Sequence, residues 1–261
     1  MIVSTIDLYG SYIPAIGAGN DGSVFITWAD NDQAGGPLNG IKYARSSDDG
    51  VTFSTPGLLV ADSNASCPSS VGSSTLIGVA WPQGPIGAGQ LMFDYSTDGG
   101  QSFLPPRALD AVMEHVWCPK LAWDGHNIIY ATWEEDTAPF VGRILFSAST
   151  DGGATFGPPI ALSSASAYGT SPCIAAGAGG RVYVIWTEGA PGPQTPFLAF
   201  SSDSGVTFTP ALRIDTSFFG SGGFTQVLAV DNTHVAFVTN APPSAGAQSD
   251  IFYFGVDISL P

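Results

Sequence analysis

Ser149-Thr150-Asp151-Gly152-Gly153-Ala154-Thr155-Phe156 has three relatives in the same chain. They are Ser46-Ser47-Asp48-Asp49-Gly50-Val51-Thr52-Phe53, Ser96-Thr97-Asp98-Gly99-Gly100-Gln101-Ser102-Phe103 and Ser201-Ser202-Asp203-Ser204-Gly205-Val206-Thr207-Phe208. The shared pattern is S-x-D-x-G-x-[ST]-F, and successive copies start 50, 53 and 52 residues apart. A period near 50 residues is the signature of a repeat architecture. The residue types fit a tight turn. The Asp carboxylate can accept main-chain N–H groups of its own turn, the fifth-position Gly tolerates positive φ, the Ser hydroxyl can bond locally, and the closing Phe is a candidate for burial between sheets.

Working outward, an apolar run ending in Trp precedes each copy, at Val24–Trp28, Leu76–Trp81, Ile128–Trp133 and Val182–Trp186. The Trp spacings of 53, 52 and 53 confirm the period independently. These short β-branched and aromatic runs, bounded by turn residues, read as strands. A fifth run, His234–Thr239, has Val238 where the Trp stands elsewhere. Each unit also carries a strand before this run, one directly before the Asp turn and one after it. Four short strands per 50 residues is one propeller blade.

The predicted fold is therefore all-β: a five-bladed β-propeller of four-stranded antiparallel blades, in one domain spanning 1–261. The blades fall at about 12–63, 64–112, 113–165, 168–217 and 222–261. The fifth unit lacks both its Asp turn and its last strand, while Ser4–Leu8 is surplus at the other end. Residues 2–8 are thus expected to complete the last blade and close the ring, which removes open sheet edges.

The repeated motif resembles the Asp-box (BNR) repeat of sialidases and related propellers, at blade spacing over essentially the whole chain. The resemblance implies a structural role for Asp48, Asp98, Asp151 and Asp203, on the face opposite the family's active site. It also exposes departures. Sialidases resemble six-bladed rings and use three arginines, an Asp acid/base and a Tyr/Glu pair. Their first arginine lies in an F-R-I-P motif, where this chain has Ser11-Tyr12-Ile13-Pro14. Their next strand ends A-E-A-R, where this chain has Thr27-Trp28-Ala29-Asp30. Of the five arginines, only Arg143 is placed to reach the functional face, and a carboxylate clamp needs convergent bidentate cations. Sialidase chemistry is therefore not expected.

Charge narrows the classes further. The chain has 22 acids against 7 Lys and Arg, a net charge of −15. Nucleic-acid binding rests on cations that neutralise phosphates, so it is excluded. No run of about 18 apolar residues predicts membrane insertion, and no signal peptide is visible at Met1–Asp7. The Ser/Thr/Gly/Ala richness and scarcity of Lys suggest an extracellular or particle-surface setting.

The second strands end acidic, at Asp30 and Asp32, at Glu134, Glu135 and Asp136, and at Glu188. This pattern supports three readings: two carboxylates flanking a sugar in a glycosidase, a Ca²⁺ site with Asp30 and Asp32 as oxygen ligands, or a solvated acidic rim. As an enzyme, the catalytic candidates are Asp30, Glu134, Glu135 and Glu188. No other cofactor is implied. Tyr12, His115, Trp117, Arg143 and Tyr168 on the adjoining loops are candidate ligand-binding residues, able to stack on or bond to a sugar. Cys67, Cys118 and Cys173 precede their Trp by 14, 15 and 13 residues, and are expected as buried free thiols on innermost strands. The leading expectation is a non-catalytic binding or assembly module that takes a glycan or protein surface. The alternatives are a glycoside hydrolase with a carboxylate-based site on the central face and a purely structural subunit of a larger extracellular or particle assembly; an oligomer or assembly is among the expected partners.

Overall fold

The computed structural model describes residues 11–30, 40–85, 88–110, 115–138, 141–189, 195–214, 225–229, 234–241 and 250–257. The described residues hold nineteen strands and two short 3-10 turns, Ala165–Ala167 and Ala178–Gly180. The strands form five antiparallel sheets in chain order. The first contains β1 (Ser11–Ala18), β2 (Val24–Asp30), β3 (Gly40–Ser46) and β4 (Gly57–Val60). The second contains β5 (Ser69–Gly72), β6 (Ile77–Gln83), β7 (Gln90–Ser96) and β8 (Arg107–Ala108). The third contains β9 (His115–Trp123), β10 (Ile129–Ala138), β11 (Val141–Ser149) and β12 (Ile160–Ala161). The fourth contains β13 (Gly169–Gly177), β14 (Arg181–Glu188), β15 (Thr195–Ser201) and β16 (Leu212–Arg213). The last has three described strands, β17 (Thr225–Ala229), β18 (His234–Ala241) and β19 (Asp250–Asp257). Every strand read from the sequence within these residues is present. The expected closing strand at 2–8 lies outside them.

The chain divides into two compact units, Met1–Ile129 with Ser149–Phe156, and Tyr130–Ala148 with Gly157–Pro261. In the first unit the core gathers Phe25, Ile41, Ala65, Ile77, Val79 and Trp81. In the second, Tyr130, Trp133, Ile144, Phe146, Tyr183 and Trp186 are buried. Trp81, Trp133 and Trp186 are each fully enclosed. The Trp runs are apolar without alternation because both faces of these strands are covered, as continuous apolar runs in buried strands require.

The repeated turn has one geometry in all four copies. In the first, Ser46 Oγ donates to Asp48 Oδ1 at 2.7 Å, and Thr52 N and Oγ1 donate to Oδ1 and Oδ2 at 2.9 and 2.6 Å. Gly50 N donates to Ser46 Oγ at 3.0 Å. The same bonds recur around Asp98, Asp151 and Asp203. Gly50, Gly100, Gly153 and Gly205 all have φ between 78° and 93°, where an L side chain is strained.

The closing aromatic reaches backward to the preceding sheet. In the first unit Phe103 packs on Phe25 and Tyr43 at ring distances of 5.9 and 5.3 Å, and Phe156 meets Phe93 edge-on at 4.8 Å. In the second unit Phe208 meets Phe146 edge-on at 4.7 Å. The second, third and fourth turns thus each close their own hairpin and seal the sheet before it.

A second repeated device lies at the start of the first strands. Ile13, Cys67 and Ser171 have φ of 49°, 45° and 53°, and each is followed by proline. Around Ile13 and Ser171 the pairing register shifts, between Tyr12 and Ala15 and between Thr170 and Cys173. A positive φ is costly for a β-branched residue such as Ile13.

The cysteines depart from expectation. Cys173 is a buried thiol outside any disulfide, but Cys67 is disulfide-bonded. Cys67 lies before β5 rather than within it, on the strained lead-in, where its side chain is not confined to the strand's alternation. The side chain of Cys118 lies outside the described residues.

Candidate functional site

The second strand of each of the first four sheets carries Trp followed two residues later by a polar side chain. Residues two apart share a strand face, so the polar group lies beside the indole. Trp28 Nε1 donates to Asp30 Oδ2 at 2.7 Å, Trp81 Nε1 to Gln83 Oε1 at 3.0 Å, and Trp186 Nε1 to Glu188 Oε1 at 2.8 Å. These bonds satisfy a donor that would otherwise be stranded in the core. Asp30, itself buried, also accepts from Ser11 Oγ at 3.2 Å and pairs with Lys42 Nζ at 3.2 Å. Gln83 in the second copy shows that hydrogen-bond acceptance, not charge, is what repeats.

The third copy breaks the rule. Glu135 instead takes Arg143, whose Nε and Nη2 both lie 2.6 Å from Oε2. The buried Trp133 Nε1 then has no hydrogen-bond partner among the described residues. Arg143, the one arginine expected to face a ligand, is thereby held by a buried carboxylate.

Glu134 faces the other side of β10 and is 8% exposed. Its Oε2 accepts from the N–H of Ser171 at 3.1 Å, the strained residue before Pro172. Burial, and then the negative charge of Asp136, push the Glu134 carboxyl up to about 7, so it carries a proton near neutrality. Burial, with the charges of Glu134 and Asp136, also raises the Tyr168 phenol. Tyr168 sits at φ 48°, after the 3-10 turn leading into β13. Glu134, Asp136 and Tyr168 therefore form one electrostatically linked group, anchored by the Ser171 N–H. The sequence nominated Glu134 and Tyr168 separately; it did not reveal Ser171, whose role is a main-chain one.

Of the remaining candidates, Tyr12 on β1 is 51% exposed and Trp117 on β9 is 42% exposed. Asp32 and the side chain of His115 lie outside the described residues. Among the described residues no group of three or more His, Cys, Asp or Glu side chains could hold a metal ion, and no helix is long and apolar enough to cross a membrane.

No family model matches the chain, and no curated protein matches it. Solved structures do. A protein of unknown function from Dyadobacter fermentans superposes with a TM-score of 0.67 at 15% identity, over 96% of this chain and 77% of that one. An α-L-arabinanase from Penicillium chrysogenum, complexed with arabinobiose, gives 0.60 at 12% identity, over 91% and 79%. A Hadza microbial sialidase gives 0.58 at 15% identity, over 95% of this chain and 53% of the sialidase. At these identities the likeness establishes the fold, that of the sialidase-like and glycosidase β-propellers.

Proposed function

We propose that this chain is a five-bladed sialidase-like propeller, closed by residues 2–8, that binds carbohydrate without cleaving it. The observation that carries the reading is the employment of the strand-end carboxylates. Asp30, Glu135 and Glu188 each already hold a structural donor. A glycosidase needs two carboxyl groups flanking the scissile bond, about 5–10 Å apart, and committed acceptors are poor candidates. The exposed rings of Tyr12 and Trp117 offer the flat apolar faces, with a polar handle, that suit a sugar ring. The Cys67 disulfide fits an oxidising setting, and with it an extracellular or particle-surface location. A glycan array followed by calorimetry tests the reading. Binding should be found, and Trp117→Ala should weaken it. An array without hits at high protein concentration overturns it.

One observation favours a glycoside hydrolase as the second reading. Glu134, protonated near neutrality beside Asp136, has the state a general acid requires. Release of sugar from arabinoside or sialoside substrates, abolished in Glu134→Gln, would establish the hydrolase and retire the non-catalytic proposal.

A further inference from the structure

In the first unit, at the end of β2 remote from Asp30, a cavity of about 420 Å³ opens among the first two sheets and their Asp turns. Its size falls in the range of roughly 300–1,000 Å³ typical of small-molecule sites. Seven of its sixteen lining residues carry hydroxyls; those of Ser23, Ser46 and Thr52 donate to Asp21 and Asp48, which leaves those of Ser47, Ser54, Ser73 and Ser74 to give hydrogen bonds to a ligand. Arg45 and Phe53 also line it.

Comparison with the next repeat shows how its lining differs. Ser46 and Ser96 begin equivalent turns, so Arg45 corresponds to Tyr95. Tyr43 pairs with Gly57 and Phe93 with Arg107, so Gly57 corresponds to Arg107. In the second sheet Phe93 stacks on Tyr95 at 6.3 Å, and the Arg107 guanidinium lies 5.0 Å above the Tyr95 ring while donating to Ala154 O. In the first sheet Gly57 has no side chain to send there. Tyr43 folds over it instead, so close that a Cβ on Gly57 would lie 2.7 Å from Tyr43 Cε1. The room beside Gly57 is thus taken by Tyr43, and the difference that reaches the cavity is Arg45, which lines it where the neighbouring repeat has the ring of Tyr95.

The chemistry of the lining selects the ligand. Arg45 Nη1 donates to Gly99 O at 3.3 Å, one of five N–H donors on the guanidinium. No described carboxylate is within ion-pair distance of Arg45. Asp98 also lines the cavity, but its two oxygens already take Ser96 Oγ, Gln101 N, Ser102 N and Ser102 Oγ at 2.6–2.9 Å. The donors of Arg45 are therefore offered to a ligand, and the Asp98 acceptors are not. The surrounding negative charge disfavours a polyanion.

We infer that this cavity is a binding site for a hydroxyl-rich ligand bearing one carboxylate, of the uronic acid class, with Arg45 as the carboxylate anchor. It is separate from the aromatic residues of the proposed glycan surface. The experiment is calorimetric or NMR titration of the whole chain with D-glucuronate, D-glucose and inorganic phosphate. Glucuronate should bind at least about tenfold more tightly than glucose, the loss expected when a charged hydrogen bond is removed. Arg45→Gln should weaken glucuronate by a similar factor, Arg45→Tyr should abolish binding, and Trp117→Ala should leave it unchanged. No glucuronate binding, equal binding of glucose, or phosphate binding as tight as glucuronate each overturns the assignment. So does unchanged affinity in Arg45→Gln. The wild-type comparison of the three probes decides the matter even if a variant fails to fold.

Discussion

Replacing Trp186 by Phe should destabilise the protein more than replacing Trp133 by Phe, although both indoles are fully enclosed. Trp186 gives up its 2.8 Å bond to Glu188. Trp133 gives up none, because Arg143 has claimed Glu135. The packing lost is similar at the two sites, so the difference isolates the hydrogen bond. A bond to a charged group contributes about 1.5–3 kcal/mol, and Trp133→Phe also removes a buried donor that has no described acceptor. The gap between the variants should therefore be about 1.5–3 kcal/mol, or a difference in Tm of about 3–12 °C for a chain of this length. Urea melts followed by far-UV circular dichroism measure it without depending on tryptophan emission. A double-mutant cycle with Glu188→Ala should return most of the gap as coupling energy. Equal costs, within about 0.5 kcal/mol, or a larger cost at Trp133, would refute the reasoning.

Other outcomes follow from the same geometry. Burial pushes Asp94 up to about 6 as well as Glu134 to about 7, so the folded state keeps protons that the unfolded chain has released. Stability should fall as pH rises from about 4 to about 7, and Glu134→Gln should recover on the order of 3 kcal/mol at pH 8. In the opposite direction, Asp48, Asp98 and Asp203 are held below the usual carboxylate range, chiefly by the hydroxyls of Thr52, Ser102 and Thr207. Their contribution is present above pH 3.8 and lost as pH falls through their lowered values, so calorimetry from pH 2 to 9 should find maximum stability near pH 4–5. Gly205→Ala should cost about 2–4 kcal/mol in urea unfolding, since φ is 82° and the new Cβ would lie 2.5 Å from Phe146 Cζ. Cys67→Ser should lower Tm under oxidising conditions and make it insensitive to added reductant, with a loss of about 2–5 kcal/mol.

The sheets were legible in the sequence because three signals agreed: the Asp turns, the Trp runs and their common spacing. Each is local, and each is repeated, so an error in one copy is corrected by the others. The site was less legible. Asp30, Glu135 and Glu188 look alike as acids, and only the placement of Trp nitrogens and of Arg143 separates their roles. A hint was nonetheless present. Gln83 occupies the same place in the second repeat, and an uncharged acceptor there argues against an acidic rim. Glu134 stood out only through its surroundings, since its unusual proton affinity comes from enclosure and from Asp136. The strained residues before Pro14, Pro68 and Pro172 were invisible for a different reason. A residue before proline normally avoids helical backbone geometry, and nothing in Ile, Cys or Ser announces a positive φ. The Cys67 disulfide was missed with them, because the cysteine was counted as part of its strand.

The backward reach of Phe103, Phe156 and Phe208 has a consequence for synthesis. Each of the first three sheets leaves the ribosome before the aromatic residue that completes its cover. That cover is encoded about one repeat downstream, so until the fourth turn is made the growing chain trails one half-clad sheet. Completion of the first three repeats is gated by translation of the next turn rather than by their own strands. A pause in translation just before such a turn would hold an aromatic surface open to solvent and to neighbouring nascent chains, which is the state most exposed to misassembly. Within each unit, the turns that fasten the folded protein therefore also set the order in which it can be fastened.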